Sequence, residues 1–352
     1  MTNTERTTAG QASGTRKREH LRIALNEDVG FTGITTGLED YRFVHQALPE
    51  IDLDAVDLTT RFLGKELRAP LLISSMVGGV SEAAAINRNL AQAARAIGVA
   101  MAVGSLRAAV DDERAAASYR VRDIAPDILL FANLGAIQLN NGYGVAECAR
   151  AVTMIGADAL ILHLNPLQEA LQAGGNTNFA GLLRRIGEVC RELAVPVVVK
   201  EVGWGISGET ARRLAAAGVA AIDVAGAGGT SWSEVERRRA PDAVSASIAA
   251  GFASWGIPTA ASIRLVRRAV SEMRIIASGG LRTGTDAAKV VALGADLAGL
   301  ATPLLKAAST SVGAAVDALR EIVEGLRLSM FCIGADNLAK LKDTPLLKRQ
   351  GD

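Results

Sequence analysis

The feature that most constrains the fold is a rhythm that begins near residue 70. Short runs of β-branched and other apolar residues end in Gly, Ser, Asn or Lys, and each is followed by an Ala-rich stretch of helical character. Such runs predict buried parallel strands joined by crossover helices. The predicted strands cover residues 70–76, 99–105, 128–135, 159–165, 196–202, 220–226, 274–280 and 296–302.

The helical stretches between these strands end in a common way. In "RAIGVA", "MIGADAL", "AAAGVAA" and "ALGADLA" a glycine follows the helix, where a left-handed residue is needed before the next strand. Eight such units over about 240 residues match the size of a closed barrel. A doubly wound open sheet is the alternative, but it rarely needs eight consecutive parallel units. We therefore predict an α/β fold, a (β/α)8 TIM barrel with residues 16–69 as an N-terminal capping segment.

The remaining composition bounds the domains and the partners. Residues 1–15 are rich in Thr, Ser and Gly, which predicts a disordered tail, and residues 16–352 then form a single barrel domain. A net charge of +1 argues against nucleic acid or an anionic membrane as partner. The N-terminus has no apolar segment, and the three cysteines lack metal-ligand spacing. We expect a cytoplasmic protein without membrane association.

Polar side chains collect where the predicted strands end. Active sites of such barrels lie at the C-terminal ends of the strands, so this pattern predicts a site there. The residues concerned are Ser75, Met76, Ser105, Arg107, Asn133, His163, Asn165, Lys200, Glu201, Asp223 and Ser278.

Two glycine-rich loops follow the last strands. "SGGLRTGTD" (278–286) exposes backbone N–H groups ahead of a helix, after the seventh strand, which predicts a phosphate cradle shared with "GLATPLL" (299–305). The alternative is a turn closed by an N-cap Thr or Asp. "DVAGAGGTSW" (223–232) follows the sixth strand and contains Thr230 as a candidate hydrogen-bonding residue. Its glycines have an alternative explanation, which is close packing of backbone.

Lys200 and the stretch "TRKREHL" each have both a functional and a structural explanation. Lys200 ends the apolar "VPVVVK", so it needs an anionic or polarised ligand atom, or else an ion pair with Asp223 or Glu201. "TRKREHL" (15–21) is either a solvated charge run or an arm that folds over a bound anion. Arg107 has guanidinium geometry suited to the same anion.

The stretch "HLNPLQE" (163–169) ends the fourth predicted strand with imidazole, amide and carboxylate groups. A lone histidine on an apolar strand is more often a core residue, but His163 has Asn165, Gln168 and Glu169 beside it. One carboxylate is too few for a metal cage built from protein alone. It suffices for Mg²⁺ that keeps waters and takes other oxygens from a diphosphate.

Together the motifs "TRKREHL", "SSMVGG", "GSLRAA", "FANLG", "HLNPLQE", "KEVGWG", "DVAGAGGTSW" and "SGGLRTGTDAAK" closely resemble those of the type 2 isopentenyl-diphosphate Δ-isomerases. The resemblance runs from about residue 15 to the C-terminus. It implies an FMN-dependent TIM-barrel enzyme that interconverts isopentenyl and dimethylallyl diphosphates. It further implies Mg²⁺, NADPH as a reductant, and a homo-oligomer, either a tetramer or an octamer.

The resemblance also implies roles for individual residues. The catalytic set is His163, Gln168 and Lys200. The substrate-binding set is Arg16, Lys17, His20, Ser105, Arg107, Asn165 and Gln168, and Glu169 is the Mg²⁺ ligand. The FMN-binding set is Ser75, Met76, Ser105, Asn133, Lys200, Thr230, Gly279, Gly280, Arg282, Ala301 and Thr302. Two positions depart from the family's pattern: Val77 replaces a frequent Thr, and Leu106 replaces a frequent Gln or Met.

Two other functions remain as alternatives. An FMN-dependent α-hydroxy-acid oxidase or dehydrogenase needs a His and an Arg, typically in the loop after strand six, and "GAGGTSW" has neither. A non-catalytic flavin- or phosphate-binding regulator explains the "SGG" loop but leaves Arg16, Lys17, Gln168 and Glu169 without a role. Obvious acid–base pairs are scarce in the rest of the chain, so we assign the proton transfers of the isomerase to reduced FMN.

Overall fold

The computed structural model describes the backbone of residues 3–351 and the side chains of residues 15–351. The strands in this range are β1 (Tyr41–Phe43), β2 (Thr60–Phe62), β3 (Lys65–Leu67), β4 (Leu71–Ile73), β5 (Ala100–Ala102), β6 (Leu130–Gly135), β7 (Ala159–His163), β8 (Val197–Lys200), β9 (Ala221–Asp223), β10 (Arg274–Ala277), β11 (Leu297–Leu300) and β12 (Leu347–Arg349).

The helices are α1 (Asn3–Asn26), α2 (Ser81–Ile97), α3 (Arg107–Asp111), α4 (Val145–Ile155), α5 (Pro166–Leu171), α6 (Leu182–Glu192), α7 (Gly208–Ala216), α8 (Trp232–Arg239), α9 (Ala243–Ala250), α10 (Thr259–Ala269), α11 (Gly284–Ala292), α12 (Thr302–Thr310), α13 (Val312–Phe331) and α14 (Leu338–Lys342). Short 3-10 helices cover Leu53–Ala55, Glu113–Ser118 and Ala136–Asn140.

Strands β4 to β11 form a closed barrel in chain order, and every neighbouring pair in it is parallel. Each of the predicted strands contains one of these barrel strands, so the (β/α)8 prediction is confirmed. The observed strands are shorter than predicted, mostly at their C-terminal ends. There the chain leaves the ladder, and the polar ends of the predicted strands become loop residues.

The capping segment closes the N-terminal end of the barrel. Its hairpin of β2 and β3 inserts Phe62 and Leu67 into the apolar cluster inside the barrel, where both side chains are buried beside Leu72 and Phe131. A second contact ties the two ends of the chain together, because β1 pairs antiparallel with β12. The ligand-binding end of the barrel is therefore the opposite one.

One structural device occurs twice, on opposite sides of the barrel. Asp158 directly precedes β7, and its Oδ2 accepts hydrogen bonds from Arg122 (2.8 Å) and from the Leu130 N–H (2.9 Å). The Arg122 guanidinium also donates to Gly156 O (2.7 Å), and Lys65 pairs with Asp158 Oδ1 (3.3 Å). We call this arrangement the first clip.

The second clip repeats these contacts at β11. Oδ2 of Asp296 accepts from the Ile275 N–H (2.8 Å) and lies 3.3 Å from Arg267 Nη2, which donates to Gly294 O at 2.7 Å. Lys342 pairs with Oδ1. The sequences "GAD" at 156–158 and 294–296 underlie both clips. Strands β7 and β11, which lie four apart in the barrel, therefore begin in the same way.

No helix within residues 3–351 combines the length and apolar character that crossing a bilayer requires. The bounds of α1 include most of the segment predicted to be a disordered tail. Of residues 1–15, only Thr15 lies among the side chains that the structure describes, so that prediction stays a prediction.

Candidate active site

Six polar side chains form one layer above the apolar filling of the barrel. Side chains alternate along a strand, so the residue two positions after an inward apolar residue also points inward. The inward apolar residues belong to the interior cluster, and the residues that follow at this spacing are Ser74, Asn133, His163, Lys200, Asp223 and Ser278. We call these six residues the polar layer. Its existence confirms that the polar strand ends lie close together.

A glycine makes room within this layer. Gly299 lies on β11, where a Cβ would be 2.8 Å from both Ser74 Oγ and Ser278 Cβ. Ser74 is nearly inaccessible, and its Oγ has no hydrogen-bond partner in the part of the chain that the structure describes. A buried hydroxyl without a partner is costly, so it suits a ligand that supplies one.

His163 is held neutral at the centre of the layer. Asn133 donates from Nδ2 to Ser75 Oγ (2.9 Å), so its Oδ1 faces His163 Nδ1 at 2.9 Å and accepts a hydrogen bond from it. Burial, together with the nearby Lys200 and Lys17 cations, lowers the pKa of His163 to about 3. The imidazole is therefore neutral at physiological pH, with Nε2 as an unprotonated acceptor.

Lys200 has the anionic neighbour that a buried lysine requires. Its Nζ donates to Glu201 O (2.6 Å) and lies 3.6 Å from Asp223 Oδ2. Asp223 is fully buried and also accepts from Ser278 Oγ (2.7 Å), whereas its Oδ2 makes no hydrogen bond within the described residues. Of the alternatives for Lys200, the ion pair with Asp223 is confirmed.

Glu201 does not pair with Lys200 through its side chain. Its Oε2 accepts from the backbone N–H groups of Val202, Gly203 and Trp204 at 2.5–2.7 Å, which fixes the turn after β8. Burial raises the pKa of Glu201 to about 7 against these hydrogen bonds.

The predicted phosphate cradle has two parts, the Gly279–Gly280 turn with the start of α12 and the start of α11. The start of α11 has a side-chain cap, whereas that of α12 has none. Gly279 (φ 107°) and Gly280 (φ 80°) have left-handed backbone, and their N–H groups make no hydrogen bond among the described residues. Helix α12 begins beside them with no side-chain cap at Ala301, and Thr302 Oγ1 lies 3.4 Å from Thr230 Oγ1. These groups form an open anion site.

The helix after "TGTD" does not take part as predicted, which corrects our interpretation of that motif. Thr283 and Asp286 form a capping box, and Asp286 accepts from the N–H groups of Arg282 and Thr283 (both 3.0 Å). N–H groups at the start of α11 are therefore bonded to side chains of the same helix end, which confirms the alternative N-cap explanation. Arg282 is in the FMN-binding set, but its side chain is exposed to solvent and its N–H is occupied.

The glycines after β9 serve close backbone packing, which was the alternative explanation for "DVAGAGGTSW". A Cβ on Gly226 would lie 2.4 Å from Thr259 Cα, and one on Gly229 would lie 2.5 Å from Gly280 N. This packing sets the loop after β9 directly against the Gly279–Gly280 turn.

Helix α1 places a cationic group over the barrel mouth. Lys17 Nζ donates to Ser105 O (3.1 Å) and to Tyr119 Oη (2.9 Å). Burial lowers the pKa of Lys17 to about 7, and the Arg16 and Arg107 cations act in the same direction. Arg16 is also buried enough to have its pKa lowered, next to Arg107 and near Glu169. Arg16 and Lys17 are therefore not part of a solvated charge run, although Arg18 and Glu19 beside them are exposed, and together with Arg107 they create a local anion preference.

The same helix is fixed on its other side by α8. His20 Nε2 lies 3.1 Å from Glu236 Oε1, and the His20 ring meets Trp232 edge to face at 5.0 Å. Glu19 pairs with Arg239 (3.0 Å). Burial lowers the pKa of His20, while Glu236 opposes this shift.

The residues after β7 form a linked amide and carboxylate group. Asn165 Nδ2 donates to Gln168 Oε1 (3.1 Å) and to Glu169 Oε1 (3.0 Å), and Gln168 Nε2 lies 3.4 Å from Glu236 Oε1. Asn165 Oδ1 is buried without a partner among the described residues. The other carboxylate oxygen of Glu169 accepts from the Asn176 N–H (2.7 Å). The Glu169 carboxylate is thus oriented by Asn165 and by the Asn176 N–H, and it is the anionic group of this set that could bind a cation.

The comparisons with known proteins agree with this geometry. The profile of the FMN-dependent dehydrogenase family matches residues 13–124 and 165–348, more than half of the chain. A protein named isopentenyl-diphosphate delta-isomerase from Nostoc sp. is 53% identical over 334 residues, covering 95% of both chains. One of the same name from Stutzerimonas stutzeri is 52% identical over 339 residues, covering 96% of this chain and 98% of the relative.

The chain belongs to the isopentenyl-diphosphate delta-isomerase family.

Solved structures share the fold of this isomerase-family chain. A flavocytochrome b2 variant with bound sulfite has a TM-score of 0.67 at 16% identity, covering 97% of this chain and 86% of that one. A mandelate oxidase variant with an FMN monooxide adduct has a TM-score of 0.62 at 18% identity, covering 97% and 98% of the two chains. At this identity the likeness shows the barrel fold alone.

The residues of this chain fit FMN, the cofactor named in the description of the FMN-dependent dehydrogenase family that matches it. The unbonded N–H groups of Gly279 and Gly280 and the uncapped start of α12 suit a phosphate. Ser74 Oγ and Asp223 Oδ2 are buried without hydrogen-bond partners among the described residues, beside Lys200. The cradle is therefore chemically suited to the phosphate of FMN, and the polar layer is suited to its ring.

Sequence reasoning missed four residues of this site. Ser74 was overlooked in favour of Ser75, although the alternation along β4 points to it. Glu236, Trp232 and Tyr119 lie outside the strand ends, and only the fold brings them to α1. Of the two departures from the family's pattern, Leu106 is fully buried in the outer hydrophobic core, and Val77 packs against that core.

Proposed function

We propose that this protein interconverts isopentenyl diphosphate and dimethylallyl diphosphate, with reduced FMN as the acid–base group, in isoprenoid biosynthesis. One observation carries the proposal: Arg16, Lys17 and Arg107 converge at the barrel mouth, beside the carboxylate of Glu169. A diphosphate needs such a group of cations with a metal-binding carboxylate at its edge. Relatives about half identical over nearly the whole chain are named for this reaction.

The cations of α1 and α3 bind and orient the substrate. Lys17 and Arg16 neutralise the diphosphate, and Arg107, whose ion pair with Asp111 spans 3.7 Å, can turn toward it. Glu169, oriented by Asn165 Nδ2 (3.0 Å), would hold Mg²⁺ together with diphosphate oxygens. The hydrocarbon part of the substrate then extends toward His163 and Gln168.

Gly279, Gly280 and the start of α12 would bind the FMN phosphate, and Lys200 would lie beside the ring, where its charge favours the reduced form. Moving the double bond adds a proton at C4 and removes one from C2, with carbocation character between the two steps. Reduced FMN supplies an acid–base group and an electron-rich ring for this chemistry.

The side chains of the polar layer position the reactants. His163 has a pKa of about 3, so it provides no proton at neutral pH and acts as a hydrogen-bond acceptor. Gln168 is held by Asn165 and Glu236, which fixes its amide toward the substrate. Together with Lys200, they would keep water from the alkene and orient it toward the bound cofactor.

Several finer points belong to this proposal. NADPH would supply the electrons that reduce bound FMN. A cytoplasmic location is supported by three free cysteines among the described residues. A homo-oligomer, tetramer or octamer, is supported by apolar side chains exposed on and after α9, namely Val244, Ile248 and Trp255.

A hydroxy-acid oxidase remains the competing function, because the solved structures with this fold include mandelate oxidase. Residues 224–231, which follow β9, contain no His or Arg. The shared fold therefore does not extend to the groups that this oxidation needs.

The test is an anaerobic assay with isopentenyl diphosphate, Mg²⁺ and NADPH, comparing FMN-loaded protein with FMN-free protein. We expect dimethylallyl diphosphate to accumulate only with the loaded protein. Oxidation of 2-hydroxy acids without isomerisation would contradict the proposal.

A further inference from the structure

We propose that Tyr119 is a positioning residue that holds the Lys17 ammonium in place for the substrate diphosphate. The inference rests on the proposed function and deepens it, because it explains how a flexible lysine on α1 is fixed. Tyr119 lies outside every strand end, between a 3-10 helix and the loop that leads to β6.

Three groups form a closed triangle around the ammonium. Tyr119 Oη donates to Ser105 O at 2.5 Å. Since its hydrogen is used there, the Oη lone pair accepts from Lys17 Nζ at 2.9 Å, and Lys17 Nζ also donates to Ser105 O at 3.1 Å. An ammonium has three N–H donors, so one remains for an anion. The two acceptors determine the direction in which that third N–H points.

The tyrosine itself is rigid. It is completely buried, and its ring occupies the space beside Gly78 and Gly79, where a Cβ on Gly78 would lie 1.9 Å from the ring. Ser118 Oγ accepts from the Gly79 N–H at 2.8 Å, and Asn87 donates to Ser118 O at 2.8 Å. The two glycines of "SSMVGG" thus admit the tyrosine ring, which is a reason for them independent of any cofactor.

A rigid partner matters because a lysine has many rotamers. Fixing such a side chain when the ligand binds costs conformational entropy, and fixing it beforehand removes that cost. Removing the hydroxyl leaves the partly desolvated ammonium with a single acceptor. Substrate binding then weakens. FMN binding should not change, because Tyr119→Phe keeps the ring that packs against Gly78 and Gly79 and leaves the side chains of Ser75, Met76 and Ser105 in place.

The experiment compares Tyr119→Phe with Tyr41→Phe in FMN-loaded enzyme. Tyr41 is a matched control, since its hydroxyl also accepts from a cation, Arg264, at 2.7 Å, and neither Tyr41 nor Arg264 belongs to the site. For Tyr119→Phe we expect KM for isopentenyl diphosphate to rise about tenfold, with kcat changed less than about threefold. Tyr41→Phe should leave both constants unchanged.

A double mutant tests whether the tyrosine acts through the lysine. In a Lys17→Met background, Tyr119→Phe should raise KM by less than about twofold, because the ammonium is already absent. A full tenfold effect in that background, an unchanged KM in the single variant, or a parallel loss of FMN affinity would each overturn the proposal.

Binding of inorganic diphosphate, measured by calorimetry, separates this inference from the proposed function. If the native protein lacks isomerase activity, the proposed function fails. The inference then stands if Tyr119→Phe still weakens diphosphate binding about tenfold, and it fails if the affinity is unchanged.

Discussion

Lys17 illustrates, at the scale of single residues, how burial prepares a cation for an anionic ligand. Its pKa is lowered to about 7 by burial and by the neighbouring Arg16 and Arg107, while Asp111 opposes the shift. At pH 8 most of the ligand-free protein therefore has a neutral amine at this position. A bound diphosphate favours the charged form and raises the pKa again.

This predicts that diphosphate binding takes up a proton at pH 8. Calorimetry in two buffers of different ionisation enthalpy should give an uptake approaching one proton at pH 8 and much less at pH 6, where the amine is already charged. Lys17→Met should abolish the difference between the buffers at pH 8. Equal heats in both buffers with the native protein would show that Lys17 does not titrate on binding.

Glu169 is the proposed Mg²⁺ ligand. Its two oxygens are oriented by Asn165 and by the Asn176 N–H, and no cluster of three or more His, Cys, Asp or Glu side chains within residues 15–351 offers an alternative cage. A metal ion at this position would therefore depend on one carboxylate and on the substrate itself.

For Glu169→Gln we expect the Mg²⁺ concentration for half-maximal activity to rise at least about tenfold, because the anionic ligand is lost while the side-chain shape is kept. FMN content should be unchanged. A Mg²⁺ titration that overlays that of the native enzyme would remove Glu169 from the metal site.

The two clips determine, at the scale of elements, where two of the barrel strands begin. In each, one carboxylate accepts from an arginine and from one backbone N–H near the start of a neighbouring strand, and the arginine also donates to the carbonyl of the glycine at the preceding helix end. The Arg122 guanidinium lowers the pKa of Asp158, together with the Leu130 N–H hydrogen bond and against burial. These contacts lie at the end of the barrel away from the polar layer.

Arg122→Met and Arg267→Met should each lower the free energy of unfolding by about 1–3 kcal/mol, because backbone carbonyls and a half-buried carboxylate lose their donor. FMN affinity should stay the same. The control is Arg320→Met, whose ion pair with Asp317 on α13 is exposed, so its cost should stay below about 0.5 kcal/mol. Urea unfolding of the three variants measures this, and equal stabilities would show that the clips contribute nothing.

The elements also show what the sequence can and cannot predict. All the barrel strands were predicted, because apolar runs with glycine after each helix are local signals. The sequence did not predict that the N-terminus of α11 is capped by its own side chains while that of α12 is uncapped. "TGTD" fits both an anion site and a capping box, and only the hydrogen bonds in the structure distinguish the two. Tyr119 and Glu236 were missed for another reason: their partners Lys17 and His20 lie about a hundred or more residues away in the chain.

At the scale of the whole molecule, the two ends of the barrel have different roles. The β2–β3 hairpin fills one end with Phe62 and Leu67, while α1 and α8 cover part of the other. We therefore expect ligands to enter beside α1, which carries Arg16 and Lys17 and is anchored through Lys17 and His20. This arrangement predicts that substrate capture depends on the docking of the N-terminal helix.

The central claim is that proton transfer belongs to the bound flavin and that the side chains position the reactants. The most direct measurement reconstitutes the protein with a reduced FMN analogue in which carbon replaces N5, and follows isopentenyl diphosphate under anaerobic conditions with Mg²⁺. We expect the analogue and the substrate to bind normally and isomerisation to be abolished. Isomerisation at the native rate with this analogue would contradict it.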